Sequence, residues 1–508
     1  MKPLSSLLIA FLVILPVWLP AAPPQSSGGP NFLIFLTDDE SWLERSIYGW
    51  SKLPTPNFDR VAREGVLFTH GYCSAPSCAP SRAALLTGRN FWELEQGAFI
   101  QAWLPQNFAV LPELLGRAGY HTGYTGKGWG PGVLAESGRS VNPAGVAFNS
   151  AKRPATERLA GVNPIDYAEN LRQFLNARKP GQPFWFWVGS TEPHAPCAAD
   201  NWKKLESKHG LHLADIPVPE FLPNTPGVRR SRANMLYELC LADEDLGRVL
   251  QVLQDAGELA NTLVIVTGDN GTGILRAKTN LYDWGVHEPL AMMWPARIKA
   301  GRRVDDFVNF IDIAPTLLEA AGLPVPPEMS GRSLTPLLIS PDSGRLDPGR
   351  SFTVCGLEWH GEFDPINLAG RTIRDERYHY IVNYGSGPRI ALPENARAPD
   401  ADYAKSAESN SVQALLNNHA GHPALQRFLP LLINPRPREE LYDLQEDPWE
   451  LHNLASSAEH AGIKARLKSQ LEDYQRRTKD PRLTGDLKIF EQTRNFVQER
   501  KKKGYGNE

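Results

Sequence analysis

Residues 32 to 39 read Phe32-Leu33-Ile34-Phe35-Leu36-Thr37-Asp38-Asp39, an apolar run that ends abruptly in two carboxylates. A second run, Trp185 to Val188, precedes His194. A third run, Leu263 to Val266, precedes Asp269-Asn270. Short continuous apolar runs of this kind are typical of buried strands in a parallel sheet. Because ligands of open α/β sheets bind outside the carboxyl ends of the strands, the polar residues after the three runs are predicted to meet at one site.

Helical patterns separate these predicted strands. The clearest pattern has apolar residues at i, i+3, i+4 and i+7, namely Leu246, Val249, Leu250 and Leu253, and Gly257 follows as a stop signal. The alternation of strands and helices predicts an α/β domain with a doubly wound, mostly parallel sheet. A chain of 508 residues exceeds what one hydrophobic core usually serves, so a smaller second domain is also expected.

Two proline-rich stretches, Leu323 to Pro336 and Pro341 to Pro348, mark the predicted boundary between the domains. They limit the larger domain to residues 30–345. Prolines at this density interrupt both helices and sheets, so the chain is expected to leave the large sheet here.

Residues 350–495 are predicted to form the smaller C-terminal domain, of α+β class with an antiparallel sheet. Thr353 to Leu357 and Tyr378 to Tyr384 read as strands, and a charged helical pattern runs from about residue 458 to residue 477. Between them, residues 385–425 are polar and rich in alanine and asparagine, which predicts an irregular loop with a short helix.

The net charge of −3 gives no sign of a nucleic-acid partner. The only basic run, Arg500 to Lys503, is interpreted as part of a solvated, charged tail at residues 496–508. The chain contains 42 glycines and 43 prolines, which indicates many ordered loops around a regular core. Active sites are commonly built in such loops.

The first 22 residues have the pattern of a secretory signal peptide. Lys2 precedes an apolar stretch from Leu7 to Leu19, which Pro16 interrupts and Ala21-Ala22 follows. The stretch is short for a membrane span, so the mature chain is predicted to be periplasmic or secreted, with no membrane span after cleavage. A retained N-terminal anchor is the alternative.

The most specific motif of the chain is Cys78-Ala79-Pro80-Ser81-Arg82, followed by Leu86-Thr87-Gly88. From average amino-acid usage, the Cys-x-Pro-Ser-Arg core is expected by chance in about one chain in a thousand of this length. Pro80 favours the first turn of a helix. Cys78 is therefore predicted at a helix N-terminus, where free N–H groups and the positive end of the helix dipole favour an anion.

Five cysteines, at positions 73, 78, 197, 240 and 355, are too few for a disulfide framework. Their pairing cannot be read from the sequence. The alternative to a chemical role for Cys78 is a structural one, in which it is simply buried or bonded to Cys73 or Cys197.

The polar ends of two predicted strands supply an all-oxygen donor set. Asp38 and Asp39 contribute carboxylates, and Asp269 with Asn270 adds a third carboxylate and an amide oxygen. Hard divalent cations prefer such donors, and calcium fits this set best. By itself an Asp-Asp pair at a strand end is often only a turn or a helix cap.

The Cys78 motif is similar to the C-x-P-S-R-x-x-x-L-T-G signature of the formylglycine-dependent sulfatases of the alkaline-phosphatase superfamily. A second element, Glu440 to Leu454, resembles the E-L-Y-D-L-x-x-D-P-x-E-x-x-N-L element near sulfatase C-termini. The resemblance therefore spans most of the mature chain. It implies an alkaline-phosphatase-like fold and a sulfated carbohydrate substrate.

By this resemblance, a formylglycine-generating or maturase enzyme oxidises Cys78 to formylglycine, whose hydrate attacks sulfur. Asp38, Asp39, Asp269 and Asn270 match the family's calcium ligands, and the modified Cys78 completes the shell. Arg82 matches the residue that orients the formylglycine.

Three further positions match basic residues of the family. Lys127 matches the lysine of the G-K-x-H signature, His194 the histidine of P-H-x-P, and Lys278 the lysine before Leu-Tyr. The resemblance implies that His194 and Lys278 contact the sulfate and help protonate the leaving group. Trp129 stands where most sulfatases have the histidine that assists sulfate release, so another group, of which His121 is a candidate, is expected to replace it.

Three looser candidates for sugar recognition are His287, Glu358 and His360, which lie in or beside predicted loops. An ordinary structural role is an equal alternative for each of them. Their loops would border the site, and substrate specificity resides in such loops.

Two stretches resemble the heparan N-sulfatases (sulfamidases), a subgroup of the family. They are Val218 to Pro226, and Thr279 to Tyr282 with the later Glu288-Pro289-Leu290. The subgroup removes the N-linked sulfate from a terminal glucosamine of heparan sulfate. Trp129 departs from the subgroup as well, so an exo-acting O-sulfatase on another glycan is the alternative.

Two other functions fit the motifs less well. Some members of the superfamily with this cysteine motif act on phosphorus, as phosphodiesterases or phosphonate hydrolases. The missing histidine is also compatible with an inactive homologue that only binds sulfated glycans, although the retained Cys78, basic residues and metal ligands favour an active enzyme.

Overall fold

The structure is a computed structural model that describes residues 28–360, 368–385, 423–432 and 435–503. The predicted signal peptide, residues 1–22, lies outside the described residues. Most of the predicted loop at 385–425 and the last five residues of the chain lie outside them as well. No helix in the described ranges combines the length and the apolar character that crossing a membrane requires.

A large sheet forms the centre of the N-terminal part. Its strands are β1 Asn31–Thr37, β2 Val66–Tyr72, β3 His121–Gly126, β4 Val146–Ala147, β5 Phe184–Gly189, β6 Thr262–Gly268, β7 His287–Met293, β8 Arg302–Val304 and β9 Val308–Asn309. The order across the sheet is β4-β3-β5-β1-β6-β7-β2-β8, and β9 pairs with β2. All neighbouring strands are parallel except β7, which is antiparallel to β6 and β2.

The three apolar runs of the sequence are confirmed as the three adjacent strands β5, β1 and β6. Phe32 of β1 pairs with Trp185 on one side and Leu263 on the other, all in parallel register. Their carboxyl ends therefore lie side by side at one edge of the sheet. Strand β7 was not predicted, because its proline and glutamate hide the apolar pattern.

Helices cover both faces of this sheet. The helices of all the described ranges, including the C-terminal part, are α1 Pro56–Glu64, α2 Cys78–Thr87, α3 Leu111–Arg117, α4 Tyr167–Ala177, α5 Asn201–His209, α6 Pro226–Asp255, α7 Asp283–Val286, α8 Ile313–Ala320, α9 Thr335–Ile339, α10 Leu429–Leu432, α11 Ala461–Arg477, α12 Pro481–Thr484 and α13 Lys488–Lys502. On β1, Phe32 and Ile34 pack in one core with α2, α3 and α8, whereas Leu33 and Phe35 pack in another with α1, α4 and α6. The predicted doubly wound α/β class is therefore correct.

The predicted amphipathic helix is the second half of α6, which is 30 residues long. Its residues Leu246, Val249, Leu250 and Leu253 are buried against the sheet. The helix begins much earlier than the pattern indicates, because Thr225 caps it through a hydrogen bond from the Val228 N–H and Pro226 occupies its first turn.

A second, antiparallel sheet forms the C-terminal part, in the order β10 Phe352–Leu357, β11 Gly370–Asp375, β12 Tyr378–Asn383 and β13 Glu439–Asp443. Helix α11 packs on it through Leu467 and Leu471, and helix α13 joins the same hydrophobic core through Val497. Residues 496–502, which were expected in a charged tail, continue helix α13, because Phe496 and Val497 pack in this core.

Candidate active site

The two acidic pairs meet at the carboxyl ends of β1 and β6. Thr37 and Gly268, the last residues of these strands, are paired in register, so Asp38-Asp39 and Asp269-Asn270 emerge together. The Asp39 N–H donates to Asp269 Oδ1 at 3.1 Å, and all four side chains are buried. Asp39 has a φ of 70°, a conformation that non-glycine residues seldom adopt outside special sites.

Helix α2 brings Cys78 to this edge. Cys78 is the first residue of the helix, as the motif predicted, and the whole helix is buried. Its Sγ lies 3.4 Å from Asp38 Oδ1. One turn later, the Ser81 hydroxyl donates to the Asp269 carbonyl at 2.5 Å, which ties the helix to the end of β6.

Arg82 links this helix to three other parts of the site. Its Nε donates to Asp269 Oδ2 at 2.8 Å, and one terminal nitrogen donates to the carbonyls of Lys127 and Gly128 at 2.8 and 3.0 Å. The side chain has no solvent exposure. A buried guanidinium in this position fixes the helix, the end of β6 and the loop after β3 relative to one another.

Two lysines and a histidine complete the cluster. Lys127, directly after β3, donates from Nζ to Asp38 Oδ2 at 2.5 Å. Lys278 donates from Nζ to Asp39 Oδ2 at 2.7 Å. His194 Nε2 lies 3.8 Å from the same Asp39 oxygen. The structure thus brings all the predicted catalytic and metal-binding residues to one edge of the sheet.

Burial and charge have opposite consequences for Asp38 and Cys78. Burial by itself would raise the pKa of Asp38, but the positive charges of Lys127, His194 and Arg82 outweigh it and hold that pKa well below its usual range. Burial raises the pKa of the Cys78 thiol well above its ordinary value. An unmodified Cys78 is therefore a poor source of a thiolate nucleophile.

The cluster has the donors that a hard cation needs. Single ligand atoms of Asp38, Asp39, Cys78 and His194 lie within 4.8 Å of one another. Asn270 Oδ1 is buried and has no hydrogen-bond partner, as expected for an oxygen that a cation would bind. The residues present therefore fit a calcium ion, with oxygen donors in the majority.

Two of the three residues predicted to recognise sugar have buried side chains that contact other residues of the fold. Both ring nitrogens of His287 are engaged, with Asp283 Oδ2 at 3.1 Å and the Thr69 carbonyl at 2.9 Å, and the ring is buried. Glu358 is buried between Arg371 and Arg482, at 2.7 and 2.5 Å. Within the described ranges, neither side chain has a hydrogen bond or ion pair with the Cys78 cluster.

The third, His360, lies beside the cluster. Its Nδ1 is 2.8 Å from the hydroxyl of Ser77, the residue that precedes helix α2. The Ser77 side chain does not cap the helix, so this hydroxyl is directed to the histidine instead. His360 follows the carboxyl end of β10 and thereby connects the C-terminal part of the chain to the start of the Cys78 helix.

Trp129 stands in place of the histidine of the G-K-x-H signature, and His121 was the candidate to replace that histidine. Trp129 is buried in the core, its ring lies against Gly132, and Asn142 holds its backbone at both N–H and carbonyl. The suggestion that His121 replaces the histidine is wrong. His121 begins β3, so about 20 Å of strand separates it from Lys127 beyond the other end.

All five cysteines are unpaired in the structure. The disulfide between Cys78 and Cys73 or Cys197, considered as an alternative, is therefore not formed. Cys78 alone among the five lies within hydrogen-bonding reach of an acidic residue of the cluster.

Glu192 is a residue of the site that the sequence pattern did not reveal. Its buried carboxylate accepts hydrogen bonds from Ser190 at 2.6 Å and from Tyr167 at 3.2 Å. Its carbonyl accepts the Asp38 N–H at 3.1 Å. Glu192 thereby joins the His194 loop to the end of β1, a contact between distant segments that no local sequence pattern indicates.

Comparison with known families covers most of the chain. The model of the family described as Sulfatase matches residues 30–323, and the model described as N-sulphoglucosamine sulphohydrolase, C-terminal, matches residues 274–414. The first match spans more than half of the chain and includes the whole Cys78 cluster.

Individual relatives agree with these matches. Human N-sulphoglucosamine sulphohydrolase is 30% identical over 491 residues, which cover 89% of this chain and 91% of that protein. An ulvan-active sulfatase of Formosa agariphila is 27% identical over 469 residues, covering 87% of this chain and 74% of that protein.

A solved structure shares the fold. It is described as a complex with its substrate D-glucosamine-2-N,6-O-disulfate and aligns with a TM-score of 0.64 at 20% identity. The alignment covers 89% of this chain and 98% of that chain.

Proposed function

The chain belongs to the sulfatase family, and we propose that it releases inorganic sulfate from a sulfated sugar whose sulfate is N-linked, as in N-sulfoglucosamine. The observation that carries this proposal is the ring of positive groups around Cys78. Lys127, Lys278 and Arg82 converge there at the N-terminus of a buried helix. Such a site favours a tetrahedral anion.

Two groups that the chain itself would hold supply the reactive chemistry. Cys78, once converted to formylglycine, would supply the hydrated aldehyde as nucleophile at position 78. Asp38, Asp39, Asp269 and Asn270 would hold a calcium ion, which would add positive charge to the sulfate-binding site.

The side chains of the cluster bind and orient the substrate in this proposal. Lys127 and Lys278 stand on either side of the acidic pair, at Asp38 and Asp39 respectively, and would hold the sulfate oxygens. His194 is partly exposed and stands beside Lys278, where it would donate a proton to the departing nitrogen or oxygen. Arg82, fully buried, would keep position 78 oriented.

The preference for an N-linked sulfate rests on the C-terminal half of the chain. The family model named for N-sulphoglucosamine sulphohydrolase matches residues 274–414, and the human enzyme of that name is 30% identical. The motif stretch Val218 to Pro226 supports the same subgroup. We further propose that the chain is exported to the periplasm or the medium after removal of residues 1–22, and that a maturase enzyme is its modification partner.

The test is sulfate release by calcium-loaded protein co-expressed with a formylglycine-generating enzyme. The substrates are N-sulfoglucosamine, glucosamine-6-sulfate and an aryl sulfate. We expect release from the N-sulfated sugar, with a free amine as the second product. Release from glucosamine-6-sulfate alone would contradict the N-linkage and retain the sulfatase reaction.

An O-sulfatase acting on another polysaccharide is the second candidate. The similarity to an ulvan-active sulfatase and the tryptophan at position 129 favour it. Product analysis separates the two candidates, because an O-sulfatase leaves a free hydroxyl where an N-sulfatase leaves a free amine.

A further inference from the structure

The segment that carries Lys278 is held from outside the large domain. We call residues 274–283 the lysine loop. Arg276, two residues before Lys278, donates to the Leu431 carbonyl at 3.2 Å and to the Glu450 carbonyl. Its guanidinium lies 3.6 Å from the centre of the Tyr282 ring, near the end of the same loop. These contacts from the C-terminal part of the chain therefore hold the first half of the loop in place.

The second half of the loop is also held by hydrogen bonds to the C-terminal part of the chain. The Tyr282 hydroxyl donates to Glu440 Oε2 at 2.8 Å, and the Asp283 N–H donates to Glu450 Oε2 at 2.7 Å. Glu440, Glu450 and Tyr282 are all buried. Buried hydrogen bonds to carboxylates are strong and costly to lose, so these contacts constrain the loop on both sides of Lys278.

The backbone of the loop needs such support. Arg276, two residues before the lysine, has a φ of 69°, and Thr279, directly after it, has a φ of 62°, so both adopt the left-handed region. For the β-branched Thr279 this conformation is a genuine outlier. Strained residues of this kind persist only where the surroundings determine their conformation.

Glu450 connects the loop to the C-terminal sheet. Its other carboxylate oxygen, Oε1, lies 2.6 Å from Nδ1 of His379, a buried residue of β12. One side chain thus bridges the lysine loop and the sheet, while its own carbonyl binds Arg276. Among the described residues, Glu450 has no hydrogen bond or ion pair with the Cys78 cluster, so any effect on that cluster passes through the loop.

We propose that Glu450 is a positioning residue for Lys278, as part of a clamp by which the C-terminal part of the chain holds the lysine loop. The role rests on the proposed function, in which Lys278 contacts the sulfate. Loss of the Glu450 carboxylate frees the Asp283 N–H and loosens the loop. Lys278 Nζ then no longer stays 2.7 Å from Asp39 Oδ2.

The test compares Glu450→Ala with Glu450→Gln. We expect Glu450→Ala to lower kcat for the sulfated sugar by about 10-fold to 100-fold, since small misplacements of a catalytic group cost this much. KM should change much less, because the other sulfate contacts remain. Glu450→Gln retains an oxygen for the Asp283 N–H and should restore most of the activity. An Ala variant that folds and keeps the kcat of the wild type would overturn the proposal.

A second pair of variants decides the matter even where Glu450→Ala does not fold. Tyr282→Phe removes a hydroxyl that joins the loop to Glu440, whereas Tyr380→Phe removes a matched hydroxyl that binds Glu439 within the C-terminal part. We expect a lower kcat for Tyr282→Phe and none of this loss for Tyr380→Phe. Equal kcat values in the two variants would contradict a specific clamp on the loop.

Hydrogen–deuterium exchange separates failure of this inference from failure of the proposed function. Exchange of the amides at 274–283 should accelerate in the Glu450 and Tyr282 variants and not in Tyr380→Phe. This readout needs no substrate. An inactive wild type would refute the proposed function, while unchanged exchange in the variants would refute the clamp.

Discussion

Charge at the Cys78 cluster is balanced residue by residue. Asp38 is paired with Lys127, Asp39 with Lys278, and Asp269 with Arg82, all in buried or nearly buried positions. A buried charge without a partner is very costly, so each of these residues depends on its counterpart. A divalent cation adds positive charge to this balanced cluster, which favours entry of a negatively charged sulfate group.

Replacing Cys78 should abolish activity without unfolding the protein. We expect Cys78→Ala to lower sulfate release by about 1,000-fold or more, because the nucleophile is lost and the binding groups cannot replace it. The measurement is inorganic sulfate released from N-sulfoglucosamine at equal concentrations of folded protein. Cys240→Ala, at another buried free cysteine, is the control and should retain activity. Activity in Cys78→Ala would refute the proposed nucleophile.

Removing His121 should leave catalysis unchanged. His121 lies at the start of β3, at the opposite edge of the sheet from Lys127, so His121→Ala should retain the kcat and KM of the wild type. Steady-state kinetics of the purified variant test this. A fall in kcat that thermal unfolding does not explain would contradict the placement.

Restoring the family's histidine should not improve the enzyme. Trp129 is buried in the core, so Trp129→His is expected to lower the free energy of unfolding by about 3 kcal/mol through the cavity it leaves. Urea titration of the variant gives this value, and sulfate release gives the activity. Faster sulfate release with unchanged stability would show that the ring space at position 129 can serve the reaction.

Strands and helices determine which parts of the site could be predicted. Asp38-Asp39 and Asp269-Asn270 follow short apolar runs, and the rule that parallel strands end at one edge was enough to place them together. Cys78 followed from its helix-start motif. Glu192 and Glu450 could not be predicted in this way, because their roles depend on contacts between distant loops that no local pattern encodes.

The strand ends that carry the acidic pairs should respond to calcium. We expect calcium to raise the thermal midpoint over that of protein treated with a chelator, since a ligand at about 100 times its Kd adds about 2.7 kcal/mol to the free energy of unfolding. Differential scanning fluorimetry measures the increment. Asn270→Ala removes the unpartnered amide oxygen and should reduce it, whereas Asn224→Ala, at an exposed residue, should not. Equal increments in both variants would argue against Asn270 as a ligand.

The fold class of the whole molecule could be predicted from the sequence, but only some of its strands could be. The doubly wound sheet followed from the apolar runs, and two of the four C-terminal strands from their β-branched and aromatic residues. Strand β11, with arginines at both Arg371 and Arg374, lacks an apolar pattern because those arginines pair with acids inside the protein. Burial of paired charges hides a strand from any analysis of hydrophobicity.

We predict that Glu358 stabilises the fold and does not bind substrate. It bridges Arg371 of the C-terminal sheet and Arg482 of helix α12. We expect Glu358→Gln to lower the free energy of unfolding by about 3 kcal/mol, because it leaves buried arginines short of a counter-charge. Chemical unfolding measures the loss, and KM of the folded fraction should stay unchanged. Asp473→Asn, at an exposed acid, is the control; a raised KM with normal stability would restore the sugar-binding role.

The burial of Cys78 determines whether its proposed conversion comes before or after folding. Cys78 is 1% exposed in the folded protein, and its helix is tied through Ser81 to the carbonyl of Asp269, which directly follows β6 much later in the sequence. No second enzyme can reach a group so enclosed. The proposed conversion of Cys78 must therefore occur while the chain is still unfolded, before residues 262–270 have been made or have joined the sheet. A molecule that folds before Cys78 is converted should stay inactive, and later incubation with the modifying enzyme should not restore its activity.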